Sequence, residues 1–115
     1  MLTFNLKKEW YKKIRSGEKT IEYRDVKPYW KKRLEKEICG GVMDDPISEF
    51  FHSGRVGDWV HVFLCDIRCV LRLGYTKRFM TARITRIEIV DGKDTDLAID
   101  ALVYAIHLAG VKEVT

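Results

Sequence analysis

From Trp59 onward the chain is dominated by β-branched and aromatic residues in long runs with few turns between them. This pattern, more than any other, narrows the folds open to it, because such residues suit a pleated, half-buried surface. Strands are expected at Trp59–Cys65, Cys69–Tyr75, Phe79–Val90 and Leu102–Leu108, with Val111–Val114 as a short terminal one. Residues Asp94–Asp100 read as a helical turn or an acidic loop. Long strands with few turns favour a sheet that curls or closes, which also removes free edges.

The first third is built differently. Leu2-Thr3-Phe4-Asn5-Leu6 alternates apolar and polar residues, the period of a half-buried strand. Next, Leu6, Trp10 and Ile14 recur at helical spacing among Lys7, Lys8, Lys12, Lys13 and Arg15, which predicts a helix with a narrow apolar stripe. Ser16-Gly17 stops it, since glycine takes the left-handed conformation at low cost. Glu18–Asp25 reads as a second strand, with Lys19, Ile21 and Tyr23 on one face and Thr20, Glu22 and Arg24 on the other. Lys27-Pro28 turns into a second helix, Tyr29–Glu37, in which Lys31, Lys32, Arg33 and Lys36 lie beside Tyr29 and Trp30. Gly40-Gly41 and Asp44-Asp45-Pro46 mark a loop, Ser48–Phe51 a short turn, and Gly54 and Gly57 the entry to the third strand. Two N-terminal helices inserted into five or six strands describe a small barrel-like α+β domain, residues 1–115 forming one unit.

Length and charge bound what such a domain can do. At 115 residues and 46% hydrophobic, the chain can bury a core without a metal or disulfide. Three cysteines, an odd number, and a start without a signal-peptide pattern point to a cytoplasmic protein with reduced thiols. No apolar run is long enough to span a bilayer, so no membrane partner is expected. The net charge of +4 is unevenly placed. Residues 1–36 carry 12 Lys and Arg against 5 Asp and Glu, a balance of +7, and residues 37–115 carry 9 against 12, a balance of −3. A localised positive field is the footprint of a polyanion partner; the alternative is that the lysines merely solvate two helices.

The string Ser16-Gly17-Glu18-Lys19-Thr20-Ile21-Glu22-Tyr23-Arg24-Asp25 is the densest in chemistry. Charges on a strand that helps to close a barrel are costly unless paired or in contact with solvent. Glu22 and Arg24, two apart, can pair along one face, with Lys19 at the mouth of the turn. That set is either an ion-pair ladder holding the strand edge or the polar side of a cleft. Aromatics interleaved with cations on the second helix suit single-stranded nucleic acid, with Lys27, Lys31, Lys32 and Arg33 as candidate phosphate contacts. Trp30 and Leu34, four apart, also read as that helix's buried stripe. Tyr75-Thr76-Lys77-Arg78 forms a basic turn between strands, able to close over a ligand or to sit solvated. His61, Cys65 and Cys69 supply three potential zinc ligands, but extended residues four apart lie about 13 Å from each other. No metal and no cofactor are therefore assigned. The cysteines, and His107 within its apolar strand, are read as packing residues.

The segment GEKTIEYRD, after a strand LTFNL and a helix ending IRSG, resembles the ASCH (activating-signal-cointegrator homology) family of the PUA-like superfamily. Gly17, Lys19, Thr20, Glu22 and Arg24 match its Gly-x-Lys-Thr-x-Glu-x-Arg pattern. Val56-Gly57-Asp58, Gly74–Arg78 and the strand Val103–Leu108 extend the similarity over nearly the whole chain. The resemblance implies a PUA-like β-barrel of five to six strands, with a cleft beside the Lys19–Arg24 strand for a nucleotide-like ligand or single-stranded RNA. It implies ligand contacts from Lys19, Thr20, Glu22, Arg24, Tyr75, Lys77 and Arg78. Some family members are amidohydrolases acting on acetylated cytidine, and some look like ribonucleases. The amidohydrolases carry a nucleophilic threonine where this sequence has Glu22, and a carboxylate does not replace a hydroxyl nucleophile. In an enzyme of this fold Lys19 and Glu22 would be the catalytic pair, with Glu22 as general base. An arginine beside that carboxylate makes it a weak base, so binding without chemistry is the expected function.

Overall fold

The structure, a computed structural model, describes residues 1–39 and 62–114. The expected loop and turn at 40–51, the glycines before the third strand, residues 59–61 of that strand and His61 lie outside the described residues.

Strand β1 (Leu2–Leu6) buries Leu2, Phe4 and Leu6, as its alternation requires. Helix α1 (Lys8–Ser16) ends at Gly17, whose φ of 85° is the left-handed cap and whose N–H donates to the Ile14 carbonyl at 3.1 Å. Its buried residues are Tyr11 and Ile14. Trp10, expected in the buried stripe, is only half-buried: it lies about 100° around the helix from Tyr11 and faces a cleft described below.

Strand β2 (Ile21–Asp25) begins later than the expected Glu18, because the Lys19 N–H is taken by the Lys13 carbonyl at 3.0 Å. Helix α2 (Pro28–Cys39) takes its proline as the first residue, one before the expected Tyr29, and runs two residues past the expected Glu37. Leu34 is fully buried, and Trp30 stacks on Phe4 with ring centroids 5.2 Å apart.

The second half forms three long strands, β3 (Val62–Leu73), β4 (Phe79–Asp91) and β5 (Leu102–Val114), with a 3₁₀ turn at Gly92–Asp94. Sequence expectation broke β3 and β5 in two; the structure keeps each continuous. The two breaks are β-bulges: one between Leu64 and Ile67 in β3, and one at Gly110–Val111 of β5, opposite the Thr81–Arg83 step of β4; β4 has a further irregularity between Ile84 and Arg86. A bulge bends a strand and raises its twist without taking it out of the ladder. The sequence signature of a bend was therefore read as an end.

Five strands in the order β1-β3-β4-β5-β2, with β1 parallel to β3 and the other pairs antiparallel, curl into a half-barrel. Two helices and this mixed sheet make a small α+β fold. The concave face holds the core, including Leu71, Met80, Ile84, Ile87, Ile89, Tyr104 and Ile106, all fully buried. Burying each such aliphatic side chain contributes roughly 1.5–3 kcal/mol. Among the described residues, β1 and β2 are the edge strands and are not paired with each other, which leaves a seam between them. Among the described residues, no helix is long and apolar enough to cross a membrane.

Candidate functional site at the barrel seam

Two edge strands facing each other without a ladder leave backbone groups to be satisfied. Side chains of β2 do this. Glu22, the one buried charged residue among those described, sits opposite Ile106 and points toward the core. Its Oε1 accepts the Tyr23 N–H at 3.1 Å, and its Oε2 accepts from the Arg24 guanidinium at 3.0 Å. The same Arg24 Nη2 donates to the Asn5 carbonyl of β1 at 3.1 Å. A chain of contacts thus runs from a β2 amide through Glu22 and Arg24 to a β1 carbonyl, in place of the missing backbone bonds. The expected pairing of Glu22 with Arg24 is present, and it spans the seam.

Arg24 also lies over Trp30, 4.9 Å from the ring centroid, and 5.4 Å from that of Phe4. Its Nε is buried and makes no hydrogen bond, so part of its donor capacity is unused. Lys19 is held in a cage: Glu22 Oε1 at 3.5 Å, the Trp10 ring at 4.8 Å and the Tyr23 ring at 5.2 Å, with a further ion pair to Asp96. Only 9% of the Lys19 side chain is exposed.

Around these residues lie two adjoining depressions. One, of about 420 Å³, is lined by Trp10, Lys13, Lys19, Thr20 and Tyr23, and the other, of about 220 Å³, by Asn5, Glu22, Arg24 and Trp30. Trp10, Tyr23 and Asp96 border both. Burial, reinforced by the charges of Asp96 and Glu88, raises the Tyr23 hydroxyl above its ordinary pKa, so it remains a neutral donor.

Of the expected ligand contacts, Lys19 and Thr20 line the larger depression and Glu22 and Arg24 the smaller. Lys27 and Arg33 lie on the adjoining face of α2 and its entry, Lys27 paired with Asp25 at 3.2 Å and Arg33 over the exposed Tyr29 ring at 5.6 Å. Lys31 and Lys32 belong to the same helix, Lys32 exposed and Lys31 half-buried. Trp30 packs on Phe4, as the helix's buried stripe requires, and also lines the smaller depression. Tyr75, Lys77 and Arg78 sit in the β3–β4 turn and line neither depression. Tyr75 and Lys77 are exposed, whereas Arg78 is committed to Glu113 at 2.9 Å.

Three site residues escaped sequence reasoning. Asp96 is 77 positions from Lys19, and only the acidic character of its turn hinted at a role. The helical spacing of Trp10 points to the core stripe and the alternation of β2 gives Tyr23 only a strand face, yet both line the two depressions. His107, expected to be packed, is mostly covered, and its Nε2 contacts Glu88 Oε1 at 2.8 Å, an oxygen that also binds Arg86 at 2.9 Å. Cys69 is fully buried, and Cys65 is half-buried with its thiol on the Ile84 carbonyl at 3.5 Å.

No family model matches the chain, and no curated protein or solved structure matches it significantly.

Proposed function

We propose that this chain is an ASCH-type, PUA-like cytoplasmic module that binds a nucleotide-like ligand or one nucleotide of single-stranded RNA in the seam cleft. One observation carries the reading: around an open gap between edge strands, Trp10, Tyr23 and Trp30 alternate with Lys13, Lys19 and Arg24. A base stacks on the ring faces that these groups leave open, since Lys19 already lies over Trp10 and Tyr23, and Phe4 and Arg24 lie against Trp30; cations at the rim track phosphates. The larger depression falls within the range of small-molecule sites, roughly 300–1,000 Å³. Exposed Tyr29 with Arg33 extends the aromatic and cationic surface beyond the cleft.

Binding is favoured over catalysis because Glu22 has little left to give a substrate. One oxygen serves the Tyr23 amide and Lys19, the other serves Arg24. A general base needs a free lone pair directed at the proton it removes. Likewise the ammonium of Lys19 is already balanced by two carboxylates.

The test is titration with labelled single-stranded RNA and with free nucleotides at low and moderate salt, following both binding and strand integrity. Salt-sensitive binding of intact RNA, weakened about ten-fold in Trp10→Ala through lost stacking, is expected. RNA cleaved by the wild type and spared by Glu22→Gln would replace this reading with a nuclease. An absence of binding to either probe would discard it.

A further inference from the structure

On the exposed face of the sheet, Arg68 of β3 and Arg83 of β4 are direct cross-strand partners. Like charges in that position repel, and a folded protein keeps them only where counter-charge is supplied. Asp66 supplies half of it. Its carboxylate takes a two-pronged contact from Arg83, at 2.8 and 2.6 Å, and is held below its ordinary pKa by that contact and by the charges of Arg83 and Arg68. Arg68 is exposed and has no ion pair or hydrogen bond among the described residues. Lys112, paired across the ladder with Thr81, adds a third cation nearby. The patch thus holds three side-chain cations and one carboxylate, and Met1, whose ammonium is paired with Glu37 at 3.2 Å, borders it.

The backbone has made room beside these groups. Between the pairs Thr81↔Lys112 and Arg83↔Ala109, β5 carries two residues opposite one on β4. The first of them, Gly110, has a φ of 59°, the left-handed glycine of a bulge. Its missing side chain leaves open space. A depression of about 230 Å³ results, lined by Arg68, Thr81, Arg83 and Gly110 among others. Residues with the donors that a tetrahedral oxyanion demands line this hollow: Arg68, whose guanidinium fork is uncommitted among the described residues, Arg83, with the N–H groups that Asp66 leaves over, and Thr81 with its hydroxyl.

We infer that this depression is a second binding site, for a phosphate-type anion, distinct from the seam cleft and independent of whether that cleft takes a ligand. The anion sits between Arg68 and Arg83, accepts from Thr81, and completes the charge balance that Asp66 leaves half done. Its source is either a phosphodiester of a nucleic-acid backbone or the phosphate of a small molecule.

The experiment records arginine Nε–Hε NMR signals during titration with inorganic phosphate and, in a second arm, with single-stranded oligouridylate. Wild type is run beside Arg68→Ala and Asp66→Asn. Arg68 and Arg83 signals are expected to move at millimolar phosphate, and Arg68→Ala should weaken binding about ten-fold, the worth of one charge-assisted contact. Asp66→Asn, which releases Arg83, should strengthen it several-fold. Tighter binding of the oligonucleotide than of phosphate assigns the site to a nucleic-acid backbone; binding of phosphate alone assigns it to a small phosphorylated ligand. Signals that stay still in both arms, or an Arg68→Ala protein that binds like wild type, overturn the inference.

Discussion

If Glu22 and Arg24 replace a missing backbone ladder, removing either must weaken the whole fold rather than a surface contact. Glu22→Ala deletes three contacts at once: the Tyr23 amide at 3.1 Å, Arg24 at 3.0 Å and Lys19 at 3.5 Å. It also strands an arginine whose side chain is 21% exposed. Breaking one side of a fully buried pair costs about 3–5 kcal/mol. Partial exposure of Arg24 moves the expectation to the lower end, about 3 kcal/mol, or roughly a 12 °C fall in Tm at about 4 °C per kcal/mol. Arg24→Ala loses the Asn5 carbonyl contact and the stacking on Trp30, and should cost about 2–3 kcal/mol. Because both variants damage one bridge, their costs must not add. The double variant should cost about 1–2 kcal/mol less than the sum. Urea denaturation of the four proteins, followed by tryptophan fluorescence, measures all of this. Single costs below about 1 kcal/mol with coupling below about 0.5 kcal/mol are what exposed ion pairs show. That result would refute the bridge and leave Phe4 and Trp30 to hold the seam by packing alone.

Glu113 offers a pH test at the opposite end of β5. Hydrogen bonds from Arg78 and then Tyr11 hold its carboxyl at about 2, below its ordinary 4.5. Its contribution to stability is therefore complete above about 4.5 and is lost as pH falls toward about 2. Thermal melts across that window should show a steeper acid loss in wild type than in Glu113→Gln; parallel curves would contradict the assignment. Burial pushes the Cys69 thiol up to about 12 and the Cys65 thiol up to about 11. Both should resist alkylation in the native protein at neutral pH and react on unfolding, and peptide mapping that finds Cys69 rapidly modified in the native state would count against the core placement.

What the sequence by itself determined was local. The alternation of Leu2, Phe4 and Leu6 selected the buried face of β1, and Gly17 ended α1 where its φ of 85° allowed. The spacing of Glu22 and Arg24 placed two opposite charges on one side of an extended strand, close enough to pair. These outcomes depend on residues a few positions apart, whose geometry is set by the 3.6 and 2.0 periods of helix and strand. What only the tertiary structure decided was who meets whom across the chain. Periodicity does not say that β1 runs parallel to β3, or that β1 and β2 become the two lips of a seam. Nor does it say that a bend at Leu64–Ile67 continues a strand, because a bulge and a strand end both interrupt alternation. Tyr11 rather than Trp10 entered the core because the curled sheet, not the helix's own stripe, set which side was covered. Asp96 reached Lys19 only because β4 and β5 return the chain to the seam. The site is a product of strand order, and strand order is a non-local choice made by the packing of the whole sheet.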